Sequence, residues 1–219
     1  MSVHLQREIE KIKKAILSLC GLVEEQVQLG VRALLERDPE LAARVEKRDA
    51  EIDHREVEVE EECLKALALH QPVASDLRLI VAVLKINSDL ERIGDLAVNI
   101  ARKAIAFSAQ PVMAIPFDLG AMCQKTQAML RDSIDSLVNL DAPLAYNVCA
   151  RDSEVDRMKH ENRKQAEELM RSDPQRSAAL LNLLAASRNL ERIADHAANI
   201  AEDVIYMVEG RIVRHTPVE

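Results

Sequence analysis

Residues 91–101 read ERIGDLAVNIA and residues 191–201 read ERIADHAANIA, an offset of 100 with eight of eleven positions identical. A second pair lies upstream of each. DPELAARVEKRDAEID at 38–53 recurs as DAPLAYNVCARDSEVD at 141–156, an offset of 103, and the two share Asp38, Leu41, Ala42, Val45, Arg48, Asp49, Glu51 and Asp53 with their copies. Two matches in the same order describe a tandem duplication of a unit of about 100 residues. Whatever one unit folds into, the chain contains twice.

Within each unit the apolar period is helical. Leu79, Val83, Ile86, Leu90, Ile93, Ala97, Ile100 and Ala104 advance in alternating steps of four and three, which keeps one face of a helix buried. The copy runs through Leu183, Ala186, Leu190, Ile193, Ala197, Ile200 and Val204, and the first helix follows the same rule with Leu5, Ile9, Ile12, Ile16, Leu19 and Val23. Aromatic residues make up 2% of the chain, with five glycines and seven prolines. Strands and turns draw on those residue types, so their scarcity leaves a few long helices. Breaks fall at Asp38-Pro39, Gln71-Pro72, Gln110 to Pro116, Asp141 to Pro143 and Asp173-Pro174, where proline suits a helix start or a turn. The reading is all-α, with helices at about 3–36, 39–70, 74–107, 117–140, 143–171 and 175–209. Short connections make successive helices antiparallel neighbours. The expected architecture is two tandem three-helix bundles, residues 1–109 and 110–219, divided near 108–116.

The net charge of −8 disfavours nucleic acid, whose phosphates need a basic face. No run of about 18 uncharged apolar residues is present, and Met1 to Lys14 lacks the apolar core of a signal peptide, so a cytoplasmic protein is expected. Cys20, Cys63, Cys123 and Cys149 show no Cys-x-x-Cys spacing and read as small buried side chains.

Four acidic pairs stand one turn apart: Asp49 with Asp53, Glu91 with Asp95, Asp152 with Asp156, and Glu191 with Asp195. Each pair points two carboxylates the same way. Residues of an antiparallel hairpin lie level when they are equidistant from its turn. Asp53 and Glu91 are each 19 residues from Pro72, and Asp49 and Asp95 are each 23. In the second unit Asp156 with Glu191, and Asp152 with Asp195, centre on the Asp173-Pro174 bond. Four carboxylates therefore stay level in each unit, although the hairpin differs in length by three residues. With Leu90, Ile93 and Ala97 on the seam, they fall on a surface or groove, along with Asn99 and Asn199 as weaker candidates. Hard oxygen ligands suit magnesium, manganese, calcium or oxidised iron. A plain solvated acidic face is the alternative, with Arg48, Arg92, Arg151 and Arg192 beside the carboxylates to neutralise them. Ferritin-like di-iron chemistry needs two inward Glu-x-x-His motifs, and only Glu51 with His54 provides one. His196 follows Asp195 but has Leu96 as its counterpart and reads as an isolated surface histidine. No phosphate-binding glycine loop or nucleophile signature occurs.

The doubled E-R-I-[GA]-D-x-A-x-N-I-A motif, with R-D-x-E-[IV]-D on the preceding helix, resembles the PhoU family over nearly the whole chain. The resemblance implies two three-helix bundles, a homodimer or larger homo-oligomer, and iron, zinc, manganese or magnesium held by Asp49, Asp53, Glu91, Asp95, Asp152, Asp156, Glu191 and Asp195. It implies no catalysis. Its role is restraint of phosphate uptake and of the phosphate regulon, through the phosphate transporter ATPase and a membrane sensor histidine kinase. The membrane is then reached only through those partners. A metal-storage or metal-dependent carboxylate-bundle enzyme is the rival reading, and a ligand-free structural bundle the third.

Overall fold

The computed structural model describes residues 3–213; the outer limits of the two expected units, at 1–2 and 214–219, lie outside the described residues. Six α-helices are present: α1 Val3–Glu36, α2 Pro39–His70, α3 Ala74–Ser108, α4 Leu119–Asn139, α5 Ala142–Ser172 and α6 Ser177–Glu209. They agree with the apolar periodicity to within two residues at each end. The one local difference is at Pro174–Arg176, a single 3-10 turn leading into α6.

The first turn of each unit is built the same way twice. At the end of α1, Arg37 takes a positive φ of 56°, and the Asp38 amide donates back to the Ala33 carbonyl at 2.9 Å. At the end of α4, Leu140 takes 52° and the Asp141 amide donates to the Ser136 carbonyl at 2.9 Å. This is the left-handed cap that satisfies the last carbonyls of a helix. Each aspartate then caps the next helix: Asp38 accepts from the Leu41 amide and Asp141 from the Leu144 amide, both at 2.9 Å. Pro39 and Pro143 occupy the first turn, where a missing N–H is harmless.

Helix α3 packs on α1 and α2, and α6 packs on α4 and α5. The two bundles meet chiefly through α3 against α6, with a smaller contact between α1 and α4. The seam residues Val83, Ile86, Leu90, Ile93, Ala97, Ile100 and Ala104 are buried as read, while Leu79 is half-buried. Leu96, Val98 and Ala101 are buried too, because α3 is covered on more than one side. A polar set spans the two bundles. Lys85 Nζ lies 3.2 Å from the buried Asp203 Oδ1 and 5.2 Å from the Tyr206 ring centroid. His196 Nδ1 lies 2.7 Å from Asp89 Oδ1, and the Asn199 amide donates to the same oxygen at 3.4 Å. His196 is thus an interface residue, not an isolated surface histidine.

At Gly30 α1 approaches the α3 backbone tightly: a Cβ there would stand 3.0 Å from the Ala97 carbonyl oxygen. Gly21, on the same helix, has open space around it. Glycine inside a helix ordinarily destabilises it by about 0.5–1 kcal/mol relative to alanine. Gly21→Ala should therefore raise the melting temperature. Gly30→Ala must displace backbone and should lower it, by about 2–4 °C for each kcal/mol lost. Thermal melts of the two variants check the close approach directly.

Candidate functional site: two acidic patches

Helices α2 and α3 bring the first four carboxylates together. Burial raises the pKa of Asp49, and the charges of Asp53 and Asp95 raise it further. Burial likewise raises Glu91, reinforced by Asp95, Asp53 and Asp49 and opposed by Arg92. The pairs that counting from Pro72 placed level are the pairs that repel one another. Gly94 makes the approach possible: a Cβ there would come within 3.2 Å of Ile52 Cγ2 and 3.9 Å of Asp49 Oδ1. The second unit has Val155 and Ala194 at the matching positions. One methyl has moved from helix to helix, a volume-conserving exchange of the kind cores tolerate.

Two members of the first patch escaped the sequence reading. The buried Gln26 of α1 donates from Nε2 to Asp49 Oδ1 at 3.0 Å, so three helices contribute. Glu56 is the other; its pKa is raised by burial and by the charges of Glu60, Glu91 and Asp53. The Asn87 amide donates to the Glu56 carbonyl at 2.9 Å and to Oε1 at 3.1 Å. The steps 49, 53, 56 follow the helical repeat of four and three, a signal that was available.

The second patch gathers on α5 and α6. Asp152 is raised by burial and then by Asp156 and Glu191. Asp195 is raised further, to about 6, by burial and by Glu191, Asp152 and Asp156. Here, however, an ammonium stands among the acids. Lys159 Nζ donates to Asp156 Oδ1 at 2.9 Å and also to Glu191 Oε1. That bond holds Asp156 below the usual carboxylate range.

Two of the four neighbouring arginines turn elsewhere. Arg48 forms a bidentate pair with Glu25, both contacts at 2.7 Å, and Arg151 pairs with Asp132. Arg92 alone of these three reaches a patch, 3.5 Å from Glu91 and 3.8 Å from Asp95, while Arg192 lines the groove between α5 and α6. The carboxylates are not strictly outward either: the Glu191 side chain is only 14% exposed, because the groove walls cover it. Asn199 serves the bundle interface through Asp89. The single Glu-x-x-His pair lies on the outside, with His54 73% exposed and bonded to Glu58. The cysteines carry no disulfide, and burial pushes the Cys20, Cys63 and Cys123 thiols up to about 12 and Cys149 to about 11. Such thiols are inert.

As placed, no three His, Cys, Asp or Glu groups among the described residues converge as a metal's ligands do.

The Asp195 carboxyl has a directional consequence for stability. Its folded-state pKa lies above the unfolded value, so its ionised form disfavours the fold above about pH 6, and the penalty fades as pH falls toward 4. In chelator-treated protein, Asp195→Asn should stabilise at pH 7.5 by about 1 kcal/mol after solvent screening, or about 2–4 °C. Melts repeated at pH 5 should show a smaller gain.

The family model described as "PhoU domain" matches residues 16–104 and 119–204. The Phosphate-specific transport system accessory protein PhoU homolog of Pseudomonas aeruginosa is 39% identical over 216 residues, spanning 98% of this chain and 89% of that protein. The Phosphate-specific transport system accessory protein PhoU of Escherichia coli is 32% identical over 215 residues, spanning 98% and 89%. The crystal structure of PhoU from Pseudomonas aeruginosa superimposes with a TM-score of 0.91 at 39% identity, covering 94% of this chain and 99% of that one. The crystal structure of the phosphate transport system regulatory protein PhoU from Streptococcus pneumoniae gives 0.88 at 27% identity, covering 95% and 99%. With both halves matched and relatives aligned end to end, this chain belongs to the PhoU family.

Proposed function

We propose that this chain is a negative regulator of phosphate uptake and of the phosphate regulon, working in the cytoplasm as a cation-binding adaptor. In this reading it links the ATPase of the phosphate transporter to a membrane sensor histidine kinase, as a homodimer. The observation that carries the regulatory part is the end-to-end alignment with proteins named as accessory to phosphate transport. No helix among the described residues is long and apolar enough to cross a membrane, so contact with a transporter would run through protein surfaces.

The chemistry of the donor set supports the cation-binding part. Asp49, Asp53, Glu91 and Asp95 offer hard oxygen donors from two adjacent helices, with Asp49 and Glu91 partly removed from water and the exposed Arg92 and Arg102 as counter-charge. A multivalent cation of the magnesium, manganese or iron class matches such donors. When bound, it would supply the positive charge that cancels the repulsion between α2 and α3. Binding to the folded state alone stabilises by mass action. An oxygen-activating carboxylate enzyme has less support, since His54 is exposed and the second Glu-x-x-His is missing.

Two measurements check these parts separately. Deleting the gene should leave phosphate-starvation genes switched on in rich phosphate; repression that persists in a strain lacking every copy would overturn the regulatory role. Chelator should lower the melting temperature of the purified protein, and manganese or magnesium should restore it. A melt indifferent to both removes the cation from the proposal.

A further inference from the structure

The two patches descend from one ancestral patch, yet a single position separates them electrically. Across the offset of 103, Glu56 of α2 corresponds to Lys159 of α5. Both side chains face the same two carboxylates. Glu56 adds its charge to those of Asp53 and Glu91, whereas Lys159 Nζ hydrogen-bonds Asp156 and Glu191, the counterparts of those two. The first half thus holds five carboxylates against two rim cations, Arg92, 57% exposed, and Arg102, 61% exposed and already paired with Glu46. The second holds four carboxylates around a tethered ammonium. The surroundings follow suit. Glu60, Val57 and Ser88 of the first half are matched by Arg163, His160 and Arg188, which line the groove between α5 and α6 beside the patch.

We infer that the halves are not equivalent cation sites: the first takes up a multivalent ion, while Lys159 already fills that role in the second. The inference rests on the cation-binding reading above and adds which half binds. An ion approaching the second patch would have to displace an ammonium bonded to two of its would-be ligands, within a groove lined by further cations. One approaching the first patch meets carboxylates opposed only by the exposed side chains of Arg92 and Arg102, with no cation hydrogen-bonded between the two helices. The ammonium also explains how the second patch keeps its acids level without help from outside the chain. A charge fixed to the backbone does not depend on ion concentration, so one half of the molecule would respond to cation supply and the other would hold its shape.

The test uses the full-length protein, stripped with chelator, reloaded with manganese, and read by bound metal per chain and by the chelator-induced fall in melting temperature. Asp53→Asn with Asp95→Asn should lose bound manganese by at least about tenfold and lose the chelator effect. Asp156→Asn with Asp195→Asn should keep both at the wild-type level. Lys159→Glu should bind additional manganese and show a larger chelator effect than wild type, and Glu56→Lys should mimic the first double variant. If both double variants lose metal equally, or the second loses more, the halves are equivalent or reversed and the inference fails, while the cation-binding reading survives. If no protein, Lys159→Glu included, takes up manganese or responds to chelator, the cation-binding reading itself fails. Should Lys159→Glu not fold, the two double variants, which keep side-chain volume, still decide.

Discussion

Helices α3 and α6 are buried from two sides at once, by the partners within their own bundles and by one another. The rest of the architecture follows from satisfying both demands. Leu90, Ile93 and Ala97 turn toward the bundle core, Leu96 and Val98 are buried as well, and the strip left for polar side chains is narrow. Glu91 and Asp95 occupy that strip beside α2, as Glu191 and Asp195 do beside α5. Their carboxylates end in a groove between helices, half withdrawn from water and close to others of the same sign. Burial and like charge act in the same direction on Glu91 and Asp195, and both raise their pKa. The weakened acidity of Glu91 and Asp195 is a consequence of how completely the third helix of each unit is covered.

Duplication left its deepest mark where geometry admits few solutions. The turns after α1 and α4 share a left-handed cap, a backward amide bond and an aspartate that starts the next helix. A short connection between antiparallel helices has few conformations available, so both copies retained one of them. Polar groups in the grooves were freer to diverge. Asn87 holds the Glu56 backbone in the first unit; in the second, Ser187 accepts from Asn162. Lys85 and Asp203, joined across the bundles, have Ala185 and Lys103 as counterparts. A pair formed between two halves can be kept in one direction and lost in the other without disturbing either bundle.

The level placement of Asp53 with Glu91 was legible because a straight hairpin needs only a turn position and a residue count. Glu56 was equally within reach, since it continues the helical spacing of Asp49 and Asp53, but a search for pairs at four residues passes over a third member at three. Gln26 was not within reach. Its contact with Asp49 depends on how α1 rolls against α2, and nothing in the spacing of either helix encodes that angle. The bond between His196 and Asp89 was hidden for the same reason, since it belongs to the docking of two bundles whose sequences each read as self-contained.

The helices, their approximate ends, the duplication and the four carboxylates of each unit could be read from the order of residues alone. These depend on local rules: apolar period, capping, proline, and distance from a turn. Which neighbours those carboxylates meet was settled by the packing of one helix on another. Arg48 and Arg151, adjacent to the acids in sequence, are drawn off to Glu25 and Asp132, while Lys159, three residues from Asp156, enters its patch and reaches Glu191 on the next helix. Adjacency along a helix turns side chains about 100° apart, whereas a residue three or four positions on shares the same face. Which of them then finds a partner is set by the neighbouring helix, and that is a property of packing.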